Sequence, residues 1–192
     1  MRIGIDIDDT TLVMFDTMIK YANKYNVEEL GGTELKENSG LIITNRYLEE
    51  LYGWDRPTTL NFLNKYYETA LKEFPECTNA SKVINRLKNE GNEIYFISAR
   101  LANICDVESI TKESFKKYNI PYDKLIFNTP DKLETCKKYN IDIFLDDSYE
   151  VCKKLMNNGI KCYMKTSPIN KNIIDNELSR FDDWEELYNM IK

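Results

Sequence analysis

A three-layer α/β fold, with a parallel sheet covered by helices on both faces and a small helical cap inserted after the first strand, is the class the 192-residue sequence predicts. Three observations predict it. Short apolar runs alternate with helical patterns, the order that parallel β–α–β units produce. Acid closes two of those runs in the same way, and in a parallel sheet the carboxyl ends of all strands open onto one rim. About 70 residues separate the first run from the helix leading to the second, too many for a structureless loop in a compact α/β domain.

The elements follow in order. Residues 2–7 alternate apolar side chains and end in acid, reading as a short buried strand. Helical stretches at 14–25, 45–52 and 59–74 follow, broken by Gly31-Gly32, Gly40, Gly53 and Pro57, and make the cap. A helix over 80–90 has Val83, Ile84 and Leu87 on one face, Thr78 or Asn79 as its cap and Gly91 as its stop. Strands are expected at 93–97, 125–127, 141–145 and 160–164, with helices at 110–118, 132–139 and 149–157 between them. The expected partition is therefore a core of residues 1–10 and 75–192 and a cap of residues 11–74.

Composition excludes several chemistries. The chain has no histidine, which removes Ser-His-Asp hydrolysis, Cys-His proteolysis and His-ligated zinc together. Its general acids and bases must be carboxylates, Lys, Tyr or Cys. Five cysteines, an odd number without a C-x-x-C pair, suggest reduced thiols and neither a disulfide framework nor a thiolate metal site. With 26 Lys and Arg against 32 Asp and Glu the net charge is −6, giving no basic field for a nucleic acid polymer or an anionic membrane. The first residues place acid where a signal peptide needs an apolar run, and no 18-residue apolar stretch follows, so a cytoplasmic location is expected.

The chemistry lies at the strand tips. Asp6, Asp8 and Asp9 put three carboxylates within four residues at the end of the first strand, with Asp6 and Asp8 on one side by alternation. Carboxylates so close repel unless a cation offsets them, and a hard divalent ion such as Mg²⁺ is the natural partner. Asp146 and Asp147 close a second apolar strand in the same way. Ser98-Ala99-Arg100 follows the strand ending at Ile97, where a hydroxyl and turn amides can bind anionic oxygens. Lys132 opens the helix after Thr129-Pro130-Asp131 and brings an ammonium to the rim.

Taken in sequence, Asp-x-Asp-x-Thr at Asp6 to Thr10, then Ser98, Lys132 and the pair Asp146-Asp147, resemble the four motifs of the haloacid dehalogenase superfamily of aspartyl phosphatases. The resemblance spans the whole chain and implies a Rossmann-like core. Residues 131–147, together with Ile97 to Arg100, Ile120 to Asp123 and Thr166 to Pro168, look more narrowly like the 5′(3′)-deoxyribonucleotidases and their bacterial nucleotidase-like relatives. The family mechanism implies that Asp6 is the nucleophile and Asp8 the general acid and base. It implies that Mg²⁺ is held by Asp6, the Asp8 carbonyl and Asp146, with Asp147 orienting nearby groups. Thr10, Ser98, Ala99 and Lys132 then fall to phosphate, and Arg100 to a second phosphate or substrate contact. Asp9 departs from the deoxyribonucleotidase pattern, which has Gly there, and adds charge near the mouth.

The implied activity is Mg²⁺-dependent hydrolysis of a small-molecule phosphate ester, a (deoxy)nucleoside monophosphate before a sugar phosphate or other metabolite. A catalytically silent binding protein on the same fold is the alternative from another class. Of the cap aromatics Tyr25, Tyr47, Tyr52, Trp54, Phe62, Tyr66 and Tyr67, most are expected in the cap's own core and one or two against the ligand. Trp54, in a turn-rich segment, is the one least explained by helical periodicity, with Tyr25 and Tyr66 behind it. Assembly is left open between a monomer and a homodimer.

Overall fold

A computed structural model describes residues 1–35, 46–100 and 104–192. Fourteen elements follow one another as β1 (Arg2–Ile5), α1 (Phe15–Glu28), α2 (Tyr47–Tyr52), α3 (Arg56–Glu73), α4 (Ala80–Asn89), β2 (Glu93–Ile97), α5 (Val107–Tyr118), β3 (Lys124–Ile126), α6 (Lys132–Tyr139), β4 (Ile143–Asp146), α7 (Tyr149–Met156), β5 (Lys161–Lys165), β6 (Ser179–Phe181) and α8 (Trp184–Ile191). All the strand pairings are parallel, and the spatial order is β3-β2-β1-β4-β5-β6. The order reverses at β1, so the carboxyl ends of β1, β2 and β4 meet at the switch point where α/β sheets bind ligands.

Strand alternation splits the core in two. Ile94 and Phe96 point to one face with Ile143, Leu145 and Tyr163, while Tyr95, Ile97, Phe144, Cys162 and Met164 point to the other. Helices α6 and α7 cover the second face through Leu133, Cys136, Cys152 and Leu155. Strands buried on both sides must be apolar throughout, which is why these runs read so clearly in sequence. Gly4 is the exception with a reason: a Cβ there would lie 2.3 Å from a ring carbon of Phe144, its neighbour on β4.

The expected strands and helices are present, with ends shifted by a few residues. The first strand closes at Ile5, two residues before the expected end, because the chain turns back on itself: Thr11 and Leu12 donate their N–H groups to the Ile7 carbonyl. Two elements, β6 and α8, go beyond the expected set. At Asn79, which begins α4, the backbone is left-handed (φ 63°) and the side chain caps nothing; it donates instead to the Asp183 carboxylate. Gly40 and Asn45, one an expected break and the other an expected helix start, lie outside the described residues.

Between β1 and α4 the chain leaves the sheet and returns alongside its own exit. Val13 N–H donates to the Pro75 carbonyl at 2.8 Å, and Cys77 N–H to the Thr11 carbonyl at 2.8 Å. The loop between these two crossings carries α1, α2 and α3. Among the described residues no helix is long and apolar enough to cross a membrane.

Candidate active site

The tip of β1 continues past its last sheet residue by one more ladder bond, from Asp6 N–H to the Leu145 carbonyl at 2.8 Å. That bond sets Asp6 beside Asp146, the last residue of β4. Lys132, the first residue of α6, reaches across to both: its Nζ lies 2.5 Å from Asp6 Oδ1 and 2.7 Å from Asp146 Oδ2. All three side chains are buried. The second Asp146 oxygen accepts from Ser148 N–H at 2.8 Å, and Ser148 itself caps α7. Asp131 caps α6 and so fixes the helix end from which Lys132 projects.

Carboxylate oxygens of Asp6, Asp146 and Asp147 all lie within 4.8 Å of one another. Burial, with the charges of Asp146 and Asp8, raises the Asp6 pKa from 3.8 to about 7 despite the nearby ammonium. Burial and the neighbouring carboxylates also hold Asp147 well above the usual carboxylate range. Burial alone would weaken the Lys132 ammonium, but Asp146 and Asp6 outweigh it and keep its pKa raised. Three buried carboxylates against one shared ammonium leave negative charge uncompensated. An all-oxygen donor set with that excess suits a hard divalent cation such as Mg²⁺. Asp147, expected to orient its neighbours, belongs to the same buried group of carboxylates.

A cavity of about 510 Å³ opens over these groups. Its polar floor holds Asp6, Asp8, Asp9, Ser98, Ala99, Arg100, Lys132, Asp146 and Asp147. Eight of the ten residues expected at the site are therefore brought together, and two are not. Thr10 is fully buried outside the cavity; its carbonyl accepts the Trp184 indole N–H at 3.1 Å, and its hydroxyl has no hydrogen-bond partner among the described residues. It shapes the turn after β1 and does not line this cavity, because the turn that aims Asp6 and Asp8 outward points Thr10 back toward α8. Trp54 is the second correction. It is buried against Tyr52 (centroids 4.7 Å apart, stacked), Tyr25 and Phe62, and its Nε1–H donates to Asn26 Oδ1 at 3.0 Å. Tyr25 and Tyr66 belong to the same cluster and also miss the cavity. An aromatic just before the Asp55 that caps α3 is drawn into the seam between α1 and α3, which buries more apolar area than a wet rim.

Arg100, expected at a second phosphate or substrate contact, lines the cavity floor and is engaged there by Asp8. Its Nε and Nη2 receive Asp8 as a fork, with Nε 2.8 Å from Oδ2, and its Nη1 donates to Thr111 Oγ1 at 2.7 Å. Asp9 also proves structural: at φ 54° its carboxylate accepts from Met14 and Phe15 N–H, both at 2.9 Å, and thereby caps α1. Its charge faces backbone dipoles, although burial still raises its pKa to about 7.

The cavity's outer wall was not identified by chemistry-bearing motifs. Arg56, Leu60, Leu63 and Tyr67 form it from α3, joined by Tyr47 from α2 and Met14 before α1. The signal is periodic: Thr59, Phe62, Tyr66 and Ala70 are the core stripe of α3, and Leu60, Leu63 and Tyr67 form a second apolar stripe one residue along. Leu60 is 42% exposed, an unfavourable place for leucine unless something covers it.

No family model matches the chain. A nucleotidase of Clostridium acetobutylicum is 29% identical over 197 residues, covering 100% of this chain and 93% of that protein. Among solved structures, a haloacid dehalogenase-like family hydrolase of Streptococcus pneumoniae matches with a TM-score of 0.66 at 12% identity, covering 100% of this chain and 98% of that one. CbbY of Rhodobacter sphaeroides, solved in complex with phosphate, matches with a TM-score of 0.66 at 12% identity, covering 97% and 95%. The chain thus shares its fold with haloacid dehalogenase-like hydrolases, and in sequence it is similar to a bacterial nucleotidase.

Proposed function

We propose that the protein is a phosphoric monoester hydrolase that works through an aspartyl-phosphate intermediate on Asp6, requires Mg²⁺, and prefers nucleoside monophosphates. The observation that carries this reading is Lys132 bridging Asp6 and Asp146 at the floor of a cavity with an apolar roof. An ammonium so placed holds one Asp6 oxygen and offsets charge as an anionic phosphate approaches. Similarity to a nucleotidase along the whole chain supports phosphate ester chemistry.

In the first step an Asp6 oxygen bonds to phosphorus while the ester bond breaks, and Asp8 gives its proton to the departing oxygen. In the second, Asp8 takes a proton from water, which attacks phosphorus and frees Asp6. A chain without histidine has carboxylates for this work, and Asp8 is the one whose side chain is 20% exposed in the cavity. The Ser98 hydroxyl and the backbone at Ala99 receive the equatorial phosphate oxygens. Asp6, Asp146 and Asp147, with the Asp8 carbonyl, hold Mg²⁺, which when bound neutralises phosphate charge. Residues 11–74 act as a cap, with Tyr47, Tyr67, Leu60 and Leu63 offering the planar apolar surface that a base seeks. Substrate choice then rests on that wall, because the floor meets only phosphate and metal.

A panel of phosphate monoesters at fixed Mg²⁺ tests the reading. Nucleoside monophosphates should outrun sugar phosphates, excess chelator should abolish turnover, and folded Asp6→Asn should be inactive. Hydrolysis retained by Asp6→Asn would refute covalent catalysis on that residue, and sugar phosphates leading the panel would move the substrate class.

A further inference from the structure

Arg100 lies at the cavity floor, yet only 1% of its side chain is exposed, against 20% for Asp8. Its guanidinium takes the Asp8 carboxylate as a two-point fork through Nε and Nη2. The third nitrogen, Nη1, donates to Thr111 Oγ1 at 2.7 Å, and that hydroxyl donates to the Val107 carbonyl at 2.6 Å. Thr111 and Val107 both sit on α5, whose first turn is capped by Asp106. The Arg100 carbonyl accepts from Asn128 N–H at 3.2 Å, so its backbone is tied to the loop after β3. An unbroken relay thus runs from a rigid helix through Thr111 and Arg100 to one carboxylate.

We propose that Arg100 is a positioning residue that acts through Asp8, fixing the plane and rotamer of its carboxylate in the cavity, and that it is not itself a substrate contact. The inference rests on Asp8 being the proton donor described above. In the first step the Asp6–phosphorus bond forms, the bond to the leaving oxygen breaks, and the proton from Asp8 passes to that oxygen. The guanidinium keeps all its protons throughout. Two parallel N–H donors fix a carboxyl group's plane, whereas an ammonium leaves it free to turn, and the proton that Asp8 gives up sits on the lone pair of Oδ2 that the fork leaves open.

The experiment compares kcat/KM for an alkyl phosphate monoester and an activated aryl phosphate, at saturating Mg²⁺. An alkoxide needs a proton to leave, and general acid catalysis is worth about 10²- to 10⁴-fold. A nitrophenoxide leaves without one. Because kcat/KM reports the step that breaks the ester, the aryl-to-alkyl ratio reads Asp8 placement. Arg100→Lys, which keeps the buried charge, should raise that ratio at least about tenfold. Thr111→Val should move it the same way by less, and it serves if Arg100→Lys does not fold. In an Asp8→Asn background, Arg100→Lys should change the ratio less than about twofold, since the residue through which it acts is already disabled. Equal losses on both esters, or an undiminished effect in the Asp8→Asn background, would overturn the proposal. Wild-type protein inert toward both esters would instead overturn the functional reading on which it rests.

Discussion

Asp6, Asp9 and Asp147 are carboxylates whose pKa values burial raises, to about 7 for the first two and well above the usual range for the third. A raised carboxylate pKa means that the folded state holds the proton more tightly than the unfolded chain does. The stability it contributes is fully present below the ordinary value of 3.8 and is lost as pH rises through about 7. Metal-free protein should therefore melt at lower temperature at pH 8 than at pH 5. Mg²⁺ should narrow the difference, since a cation selects the ionised site. Asp6→Asn in chelator should melt higher than wild type at pH 8 by removing one buried charge. Thermal unfolding with and without chelator reads all three, and a chelated melting temperature that climbs from pH 5 to 8 would contradict the charge assignment.

Among the elements, β1 and β4 meet where Gly4 faces Phe144 with no room for a side chain, in the pair of strands that leads to Asp6 and Asp146. Gly4→Ala should destabilise the protein by about 1–3 kcal/mol through overpacking. Adding Phe144→Leu should recover part of the loss, and denaturant unfolding of wild type and the two variants measures both effects; a single variant as stable as wild type would show that the ring moves aside freely. The same strands show what was legible in sequence. Apolar runs ending in acid are conspicuous because both faces are buried and the rim is not, so Asp6, Asp8, Asp146 and Asp147 could be read directly. Strand β6 has only Ser179, Arg180 and Phe181, too short for any period. Helix α8 does carry a helical spacing in Trp184, Leu187, Tyr188 and Ile191, but no chemistry draws attention to it. Arg100 was legible as a residue near the site; its pairing with Asp8 spans a separation of 92 positions and was not.

Across the whole molecule, the aromatic-rich helices divide into an interior and a wall. Trp54 belongs to the interior, so Trp54→Ala should cost about 3–5 kcal/mol of stability. At temperatures where it remains folded, it should change kcat/KM for a nucleotide and an aryl phosphate by the same factor. Tyr67 belongs to the wall. Tyr67→Ala should lower kcat/KM for nucleotides about 5- to 150-fold, as loss of a stacked base does, with a smaller loss on the aryl ester. Steady-state kinetics on both substrates separates the two residues; a nucleotide-selective loss in Trp54→Ala would return that residue to the cavity. Periodicity distinguishes them only once α3 is seen to carry two apolar stripes, one buried in the core and the other, with Leu63 and Tyr67 half-buried and Leu60 exposed, lining the cavity.

The Trp184 indole that holds the Thr10 carbonyl joins positions 174 apart. The turn that aims Asp6 and Asp8 is thus fastened by a side chain of α8, made long after the turn itself. While the chain is still emerging from the ribosome, β4, β5 and β6 have yet to take their places beside β1, and the turn lacks its clasp. Ordering of the turn that aims Asp6 and Asp8 therefore waits on the docking of α8, a helix with no part in the cavity itself.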